Sequence, residues 1–371
     1  MVVYNLYFHP LSRIPGPKTW AATRLTFIRS VWKGSLVHDV QKIHRQYGDI
    51  VRLAPDEVSF ARGEAWSEIF GHRPGHLPFP KNPVWWSPPQ GQTPSLLHVQ
   101  DEGAHARMRR VLAHSFTEKA LRTQEPLIQS YVDLLIKRLR ERTAENTHSE
   151  GTVLDIVQWY NYTTFDIIGD LGLGQSFDCL QQSTLHPWVA MIYNFFKVST
   201  YLATVRFYPS IEFLLRKCIP KSALKMQRDH YQLVVDRVDR RMNLETQRDD
   251  FMSQLLKHND KTGMSVDEIR STFNTLIVAG SETTATVLSG ITNYLVQNTG
   301  VLQKLVQEIR GPFEEEKNIT IGSLQTLAYL NAVIEEGLRL CPPVPAGLPR
   351  VVPAGGDTVC GQWLPEHVSL S

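Results

Sequence analysis

The sequence predicts a mainly helical α+β domain, in which a small β-sheet region accompanies a large set of helices. From Glu102 onward, apolar residues recur mostly at helical spacing, and short alternating stretches are confined to the two ends of the chain. The composition, 42% hydrophobic and 20% charged, is that of a globular protein. No internal repeat divides the 371 residues, so we expect a single domain over residues 1–371.

The N-terminal part predicts a short helix followed by a β-hairpin. Residues 1–17 are apolar and aromatic and end in Pro-Gly-Pro, which cannot continue a helix. Residues 35–47 have an amphipathic helical pattern. Residues 49–53 alternate as a strand does, and residues 58–60 form the returning strand after a turn at residues 54–57.

A proline-rich segment, residues 73–94, separates this hairpin from the helices. It holds seven prolines together with Trp85 and Trp86. Loops of this length in a compact domain are usually functional or disordered. The paired tryptophans favour an ordered loop that covers an apolar surface.

The remaining chain predicts ten helices and a second set of short strands. The helices are expected at residues 103–122, 125–143, 153–171, 186–203, 209–216, 221–245, 248–257, 266–298, 300–315 and 323–340. Beyond Pro342, prolines and glycines return, and β-like pieces lie at residues 350–352 and 358–360.

Composition excludes several classes of function. Lys and Arg number 39 against 37 Asp and Glu, a net charge of +2, which gives no argument for a nucleic-acid partner. The four cysteines (Cys179, Cys218, Cys341 and Cys360) are far apart, so neither a zinc site nor a disulfide framework is expected. No apolar run reaches the roughly 18 residues that a membrane-spanning helix needs.

The most informative stretch is Ala279-Gly280-Ser281-Glu282-Thr283-Thr284, inside an otherwise apolar helix. Glycine within a helix costs about 1 kcal/mol relative to alanine, and a buried carboxyl or hydroxyl must be paired. Two interpretations remain open from these residues alone. The turn is either a functional site or a structural kink at which hydroxyls bond to the preceding helical turn.

Two further patterns accompany this turn. Glu336 and Arg339 lie three residues apart on one helical face and can pair, and their apolar neighbours predict partial burial. A common surface ion pair is the alternative.

His105 and Arg109 also share a face, which suits an anionic group such as a carboxylate or phosphate, although a solvated basic face gives the same pattern.

Along the chain, the His105–Arg109 pattern comes first, then the A-G-S-E-T-T turn, then the Glu336–Arg339 pair. Together, in this chain order, the three motifs resemble those of the cytochrome P450 monooxygenases. Segments such as NLYFHPLSRIPGPK and TTFDIIGDLGLGQSF are similar to fungal microsomal members, especially the trichothecene- and sterigmatocystin-pathway hydroxylases. The resemblance covers the whole chain. It implies the P450 fold and the hydroxylation of a lipophilic secondary metabolite.

The resemblance also implies roles for individual residues. Glu282 and Thr283 would be catalytic residues that deliver protons to an iron-bound oxygen species, and the small Ala279 and Gly280 would let dioxygen and substrate approach. The haem carboxylates would be bound by His105, Arg109 and Arg350, and Glu336 and Arg339 would be structural. Substrate contacts would come from the Trp85–Trp86 loop, residues 195–208, the Phe273 side of the central helix and residues 344–348.

The implied cofactor is haem b, with electrons from NADPH through an NADPH–cytochrome P450 reductase. The implied partners are therefore this reductase, a small lipophilic substrate, O2 and a membrane surface. The implied location is the cytosolic face of the endoplasmic reticulum membrane. Residues 1–17 would be the remnant of a membrane-proximal segment.

One family feature is not found in the sequence. The haem iron of the family is bound by the cysteine of an F-x-x-G-x-R-x-C-x-G loop, which residues 1–371 do not contain. Neither Cys341 nor Cys360 has the required neighbours, so no metal ligand is assigned. We therefore expect a truncated domain that lacks the haem-cysteine loop and the last helix. The alternative function is an inactive remnant, and residues 1–371 by themselves are expected to give no turnover.

Overall fold

The longest helix of the described chain, α13 (Val266–Gln297), organises the fold. The computed structural model describes residues 1–89, 91–145, 152–186, 199–217, 220–244, 248–260 and 262–371. Ser265 begins α13 with a capping box, in which its hydroxyl accepts from the Glu268 amide and the Glu268 carboxylate accepts from the Ser265 amide. The predicted helix at residues 266–298 is confirmed.

The other helices and strands have the following bounds. Seven α-helices precede residue 150: α1 (Lys18–Ala22), α2 (Leu25–Trp32), α3 (Leu36–Tyr47), α4 (Gly63–Phe70), α5 (Pro83–Trp86), α6 (Glu102–Ala113) and α7 (Glu118–Glu145). Later come α8 (Ile156–Leu173), α9 (Cys179–Gln182), α10 (Pro209–Lys217), α11 (Lys221–Met242), α12 (Phe251–His258), α14 (Thr299–Arg310), α15 (Ile321–Leu324) and α16 (Ala328–Leu340). The strands are β1 (Ile50–Ala54), β2 (Glu57–Phe60), β3 (Arg350–Val351), β4 (Asp357–Val359), β5 (Gln362–Leu364) and β6 (Ser369–Leu370).

The main core lies between α8 and α13. Phe273 and Ile277 of α13 are almost fully buried, and Phe273 lies against Gly172 of α8. A Cβ at Gly280 would come within 2.8 Å of Ile168 Cδ1, so the two helices meet closely at this glycine. The apolar residues on this face therefore hold α13 in place.

The described residues contain two small sheets, of which the first joins the two ends of the chain. The first has the strand order β1-β2-β6-β3, in which β2 and β6 are parallel and the other pairs are antiparallel. The second is the β4–β5 hairpin. Lys81 forms an isolated antiparallel bridge with Arg350, so the proline-rich segment lies beside β3.

The predicted helix boundaries fail in four places. The helix predicted at residues 300–315 ends at Arg310, and the other three differences have local reasons. The helix predicted at residues 103–122 ends at Ala113, because Thr117 Oγ1 accepts the Ala120 amide and begins a new helix. That helix then continues through Pro126 instead of ending before it. The helix predicted at residues 323–340 is divided, because Thr320 and Ser323 cap a separate short turn. Of the helix predicted at residues 186–203, residues 187–198 lie outside the described residues.

The Trp85–Trp86 segment is ordered and covers apolar surface, as expected. The Trp85 ring packs edge-on against Phe207, 5.8 Å between centroids. The Trp86 indole donates to the Pro349 carbonyl at 3.0 Å. The proline-rich segment is thereby joined both to the N-terminal core and to the strand that carries Arg350.

Within the described residues, the structure contains no helix with both the length and the apolar character needed to cross a membrane.

Gly337 should be required for the contact between α16 and α13. A Cβ at Gly337 would overlap Ile291 Cγ1 and lie 2.7 Å from Cδ1. We expect Gly337→Ala to lower the free energy of unfolding by about 1–3 kcal/mol, as overpacking does. The matched control is Gly300→Ala in α14, where nothing lies within 4 Å. There the gain in helix propensity should raise stability by up to about 1 kcal/mol. Urea unfolding measures both changes, and equal effects would contradict the packing role.

Candidate active site

The α13 helix has an open face roughly opposite its buried one. Thr275, Ala279 and Thr283 share this face, since they are four residues apart, whereas Thr272, three residues before Thr275, is buried. Ala279 is exposed and Thr283 is half-buried. The expectation that the Phe273 side contacts substrate is wrong, because Phe273 points into the α8–α13 core and is fully buried there.

The hydroxyls of the A-G-S-E-T-T turn bond to the preceding helical turn. Ser281 donates to the Ile277 carbonyl at 2.8 Å, and Thr283 donates to the Ala279 carbonyl at 2.6 Å. The back-bonding that the structural interpretation required is therefore present, although α13 continues unbroken through the turn. The Thr283 oxygen still has lone pairs with which to accept a hydrogen bond.

Glu282 and Gly280 differ in their surroundings. The Oε1 atom of Glu282 is buried and has no hydrogen-bond partner in the described part of the chain. A buried carboxylate oxygen without a partner is costly and is a common mark of a functional group. Gly280, in contrast, has a packing reason of its own in its contact with Ile168. Ala279 is thus the small residue on the open face.

A cluster of positive side chains lies beside this open face, centred on Lys81. The Lys81 ammonium donates to the carbonyls of Leu96, Leu97 and Val99 at 2.8–3.2 Å. Burial, and then the charge of Arg350, lower the pKa of Lys81 to about 8. The Arg350 guanidinium donates to the Phe79 carbonyl at 3.3 Å.

His105 and Arg109 join this cluster from α6, as the sequence predicted for a shared face. The pKa of His105 is lowered by burial and by the nearby charges of Lys81, Arg109 and Arg350, with Glu102 opposing. Arg107 lies on another face and forms a bidentate pair with Glu268 at 2.6 and 3.0 Å. That pair ties α6 to the start of α13.

The cluster carries an excess of positive charge. Among the described residues, no carboxylate lies within ion-pair distance of Lys81, His105, Arg109 or Arg350. Partly buried positive charges repel one another unless an anion neutralises them. The arrangement therefore fits a ligand that presents one or more carboxylates to this cluster.

Glu336 and Arg339 form the expected pair, but at the surface. Their bidentate hydrogen bonds measure 2.6 and 2.7 Å. The side chains are 53% and 66% exposed, so the expected partial burial is wrong. Their helix buries Gly337 instead, because that residue contacts Ile291 of α13 while the pair faces outward.

The described cysteines do not fit as thiolate ligands at this site. Cys179 is buried in the main core, and burial raises the pKa of its thiol to about 12. Cys360 lies in the β4–β5 turn, where burial and two glutamates raise its pKa. Cys341 contacts Gly290 at the far end of α13. No group of three or more metal-ligating side chains occurs within the described ranges, and Cys218 lies outside them.

Comparison with known proteins decides the family. The cytochrome P450 family model matches residues 14–365. The chain belongs to the cytochrome P450 family. It is 42% identical to the cytochrome P450 monooxygenase efuB of Hormonema carpetanum and 43% identical to astJ of Aspergillus oryzae, over all of this chain and 73% of each relative. It is 41% identical to averantin hydroxylase of Dothistroma septosporum, over all of this chain and 69% of that protein.

These matches confirm the resemblance and the helix-rich P450 fold that the motifs predicted. The relatives are fungal monooxygenases, so the chain is a member of an oxidoreductase family that serves fungal secondary metabolism. The two carboxylates of haem suit the Lys81–Arg350 cluster, whereas the described cysteines do not suit its iron. The site roles of Glu282, Thr283, His105, Arg109 and Arg350 remain predictions.

Sequence reasoning missed Lys81 and His98. Neither belongs to a recognisable motif, and both lie in segments that the sequence places only as loop. Lys81 joins the positive cluster because a β-bridge brings it next to Arg350. Since that pairing joins residues far apart in the sequence, a lysine among prolines did not indicate it.

His230 should make the fold sensitive to acid. Its Nε2 lies 2.9 Å from Asn274 Oδ1, and burial lowers its pKa from 6.5 to about 4. Because the unfolded chain binds the proton more readily, stability is full above pH 6.5 and falls as the pH drops toward 4. We expect His230→Gln to reduce this loss by about 2–3 kcal/mol in urea unfolding at several pH values. His38→Gln, at an exposed site, should leave the pH dependence unchanged, and an equal change in both variants would contradict the assignment.

Proposed function

We propose that the protein hydroxylates a lipophilic secondary metabolite at the open face of α13, using haem b, O2 and electrons from an NADPH–cytochrome P450 reductase. The observation that carries the proposal is the connection of the positive cluster to α13, since Lys81 donates to the Leu96 carbonyl and the Leu96 amide donates to Thr272. When bound, haem supplies the activation of dioxygen. Averantin hydroxylase, 41% identical to this chain, supports hydroxylation as the reaction type.

The residues of this chain would bind and orient. His105, Arg109 and Arg350 would hold the haem carboxylates, and the charge of Lys81 would add to the attraction. Since Arg350 follows Pro349, whose carbonyl accepts from Trp86, its position depends on the tryptophan segment. Ala279 leaves room for a reactant above the helix.

Thr283 and Glu282 would handle protons. Thr283 donates its own proton to the Ala279 carbonyl, so its oxygen is directed to accept a hydrogen bond from a reactant. The unpartnered Oε1 of Glu282 is a place where a proton can be held one residue away. Proton delivery at such a turn is general acid catalysis.

The inactive remnant is the alternative. The comparisons do not favour it, because the relatives are named for monooxygenase or hydroxylase activity.

The test is to express the protein with haem, a P450 reductase and NADPH, and to supply averantin as the probe. A thiolate-type Soret band with carbon monoxide, together with a product heavier by one oxygen, would support the proposal. Haem binding without that band and without product would support the inactive form and overturn the proposed activity. Arg350→Met should lower haem occupancy about tenfold or more, whereas the exposed Arg110→Met on α6 should not.

A membrane surface, as at the cytosolic face of the endoplasmic reticulum, is the proposed location. The N-terminal turn Tyr4–Phe8 exposes Tyr7 and Phe8 at 65% and 71%. The turn is held to the domain because the buried Arg52 guanidinium donates to the Asn5 carbonyl at 2.8 Å. Aromatic side chains of this kind favour a membrane interface.

We expect Tyr7→Ser/Phe8→Ser to weaken binding to neutral phosphatidylcholine vesicles by about tenfold or more, since each buried aromatic contributes more than 1 kcal/mol. Co-sedimentation with the vesicles measures the change. Trp66→Ser removes an aromatic of similar exposure, 65%, elsewhere on the surface and serves as the control. An equal loss of vesicle binding in the control would contradict a specific role of the N-terminal turn in membrane binding.

A further inference from the structure

The segment Ser95–Val99 is a preorganised turn at the edge of the open face. The amides of His98 and Val99 both donate to the Ser95 carbonyl at 2.9 Å. The Lys81 ammonium binds three carbonyls of the same segment. A loop held by this many hydrogen bonds presents its side chains in a defined direction.

The same turn is bonded to α13. The Leu96 amide donates to Thr272 Oγ1 at 3.3 Å, and the Thr275 hydroxyl donates to Ser95 Oγ at 3.0 Å. Thr275 lies one helical turn before Ala279 on the open face. Ser95 is 1% exposed, so this connection is shielded from water.

His98 ends the chain of hydrogen bonds. Its Nδ1 lies 2.7 Å from Ser95 Oγ. The single proton of the Thr275 hydroxyl has two acceptors within reach, Ser95 Oγ at 3.0 Å and the Ser271 carbonyl at 3.2 Å. Donation along the shorter contact, to Ser95, leaves the Ser95 proton for His98 Nδ1. A neutral imidazole that accepts at Nδ1 carries its proton on Nε2, and this nitrogen has no hydrogen-bond partner among the described residues.

The charges around His98 keep it neutral. Burial and the nearby Lys81 and Arg206 lower its pKa to about 4. Arg206 is itself engaged, since it donates to the Val84 carbonyl at 3.1 Å. An uncharged N–H donor next to two cations favours an oxygen acceptor and disfavours an ammonium ion.

We propose that His98, positioned by Ser95 and Thr275, donates its Nε2 proton to a carbonyl, phenolate or carboxylate oxygen of the bound substrate and thereby selects oxygenated substrates. The proposal rests on the proposed function, because it places the substrate on the open face of α13. The cofactor carboxylates are a second source of the same chemistry. The proposal commits to the substrate, since His98 is linked to Thr275 on that face.

The test compares two probes of nearly equal shape, 2-acetylnaphthalene and 2-isopropenylnaphthalene, which differ in a carbonyl oxygen against a CH2 group. Equilibrium dialysis with the haem-loaded protein measures their dissociation constants without turnover, so failure of catalysis does not affect the result. We expect the protein to favour the ketone about threefold to tenfold, the value of one net hydrogen bond.

The variants separate positioning from simple packing. His98→Phe should abolish the preference, His98→Gln should restore part of it, and Ser95→Ala should weaken it with the imidazole still present. His38→Phe, on the exposed face of α3, is the control and should keep the full preference. Long-range ¹H–¹⁵N spectra of ¹⁵N-histidine protein should show His98 protonated at Nε2 and lose that assignment in Ser95→Ala.

Three results would overturn the proposal. The first is an unchanged ketone preference in His98→Phe. The second is a His98 proton on Nδ1 in the parent protein. The third is a larger loss of haem affinity than of ketone preference in His98→Phe, which would assign the donor to a cofactor carboxylate instead.

Discussion

The structure depends on α13 burying one face while leaving another open. The close approach at Gly280 and the buried Phe273 bind the helix to α8, and Arg107 anchors its first turn to α6. With the helix fixed on that side, Ala279 stays exposed and Thr283 stays half-buried on the other. A site built on a helix whose core contacts are this dense is held more accurately than one built on loops.

The second constraint on the site is the positive charge of the Lys81–Arg350 cluster. The bridge between Lys81 and Arg350 brings together two cations, to which α6 adds Arg109. No carboxylate of the described chain forms an ion pair with them, although the charge of Glu102 acts on Arg350. Such a cluster is an unfavourable arrangement in the free protein, and a bound anion relieves it. The cluster therefore fits a role in binding an anionic ligand better than a role in stabilising the fold. The three carbonyls around Lys81 offset part of the desolvation of its ammonium.

Local pattern was sufficient for most of the fold and for part of the site. The 3.6-residue period located α13, and the four-residue spacing correctly put His105 and Arg109 on one face. Apolar neighbours were a poor guide to Glu336 and Arg339, because the buried contact of that turn belongs to Gly337. Phe273 was misassigned because periodicity cannot say which face of a largely apolar helix meets α8. Lys81 and His98 acquire their surroundings through contacts distant in sequence, which no local pattern records.

The hydroxyls of α13 show how one residue type serves different ends. Ser281 is buried, and among the described residues it bonds only to its own helix, at Ile277 and Val278, so its hydroxyl is satisfied within the core. Thr275 bonds to its helix and also to Ser95, and so joins the helix to a neighbouring turn. Thr283 bonds to its helix at the edge of open space, which leaves its oxygen available to a reactant. Back-bonding is therefore no evidence against a functional role, because it fixes where the remaining lone pairs point. What distinguishes the three is the surface that each oxygen faces.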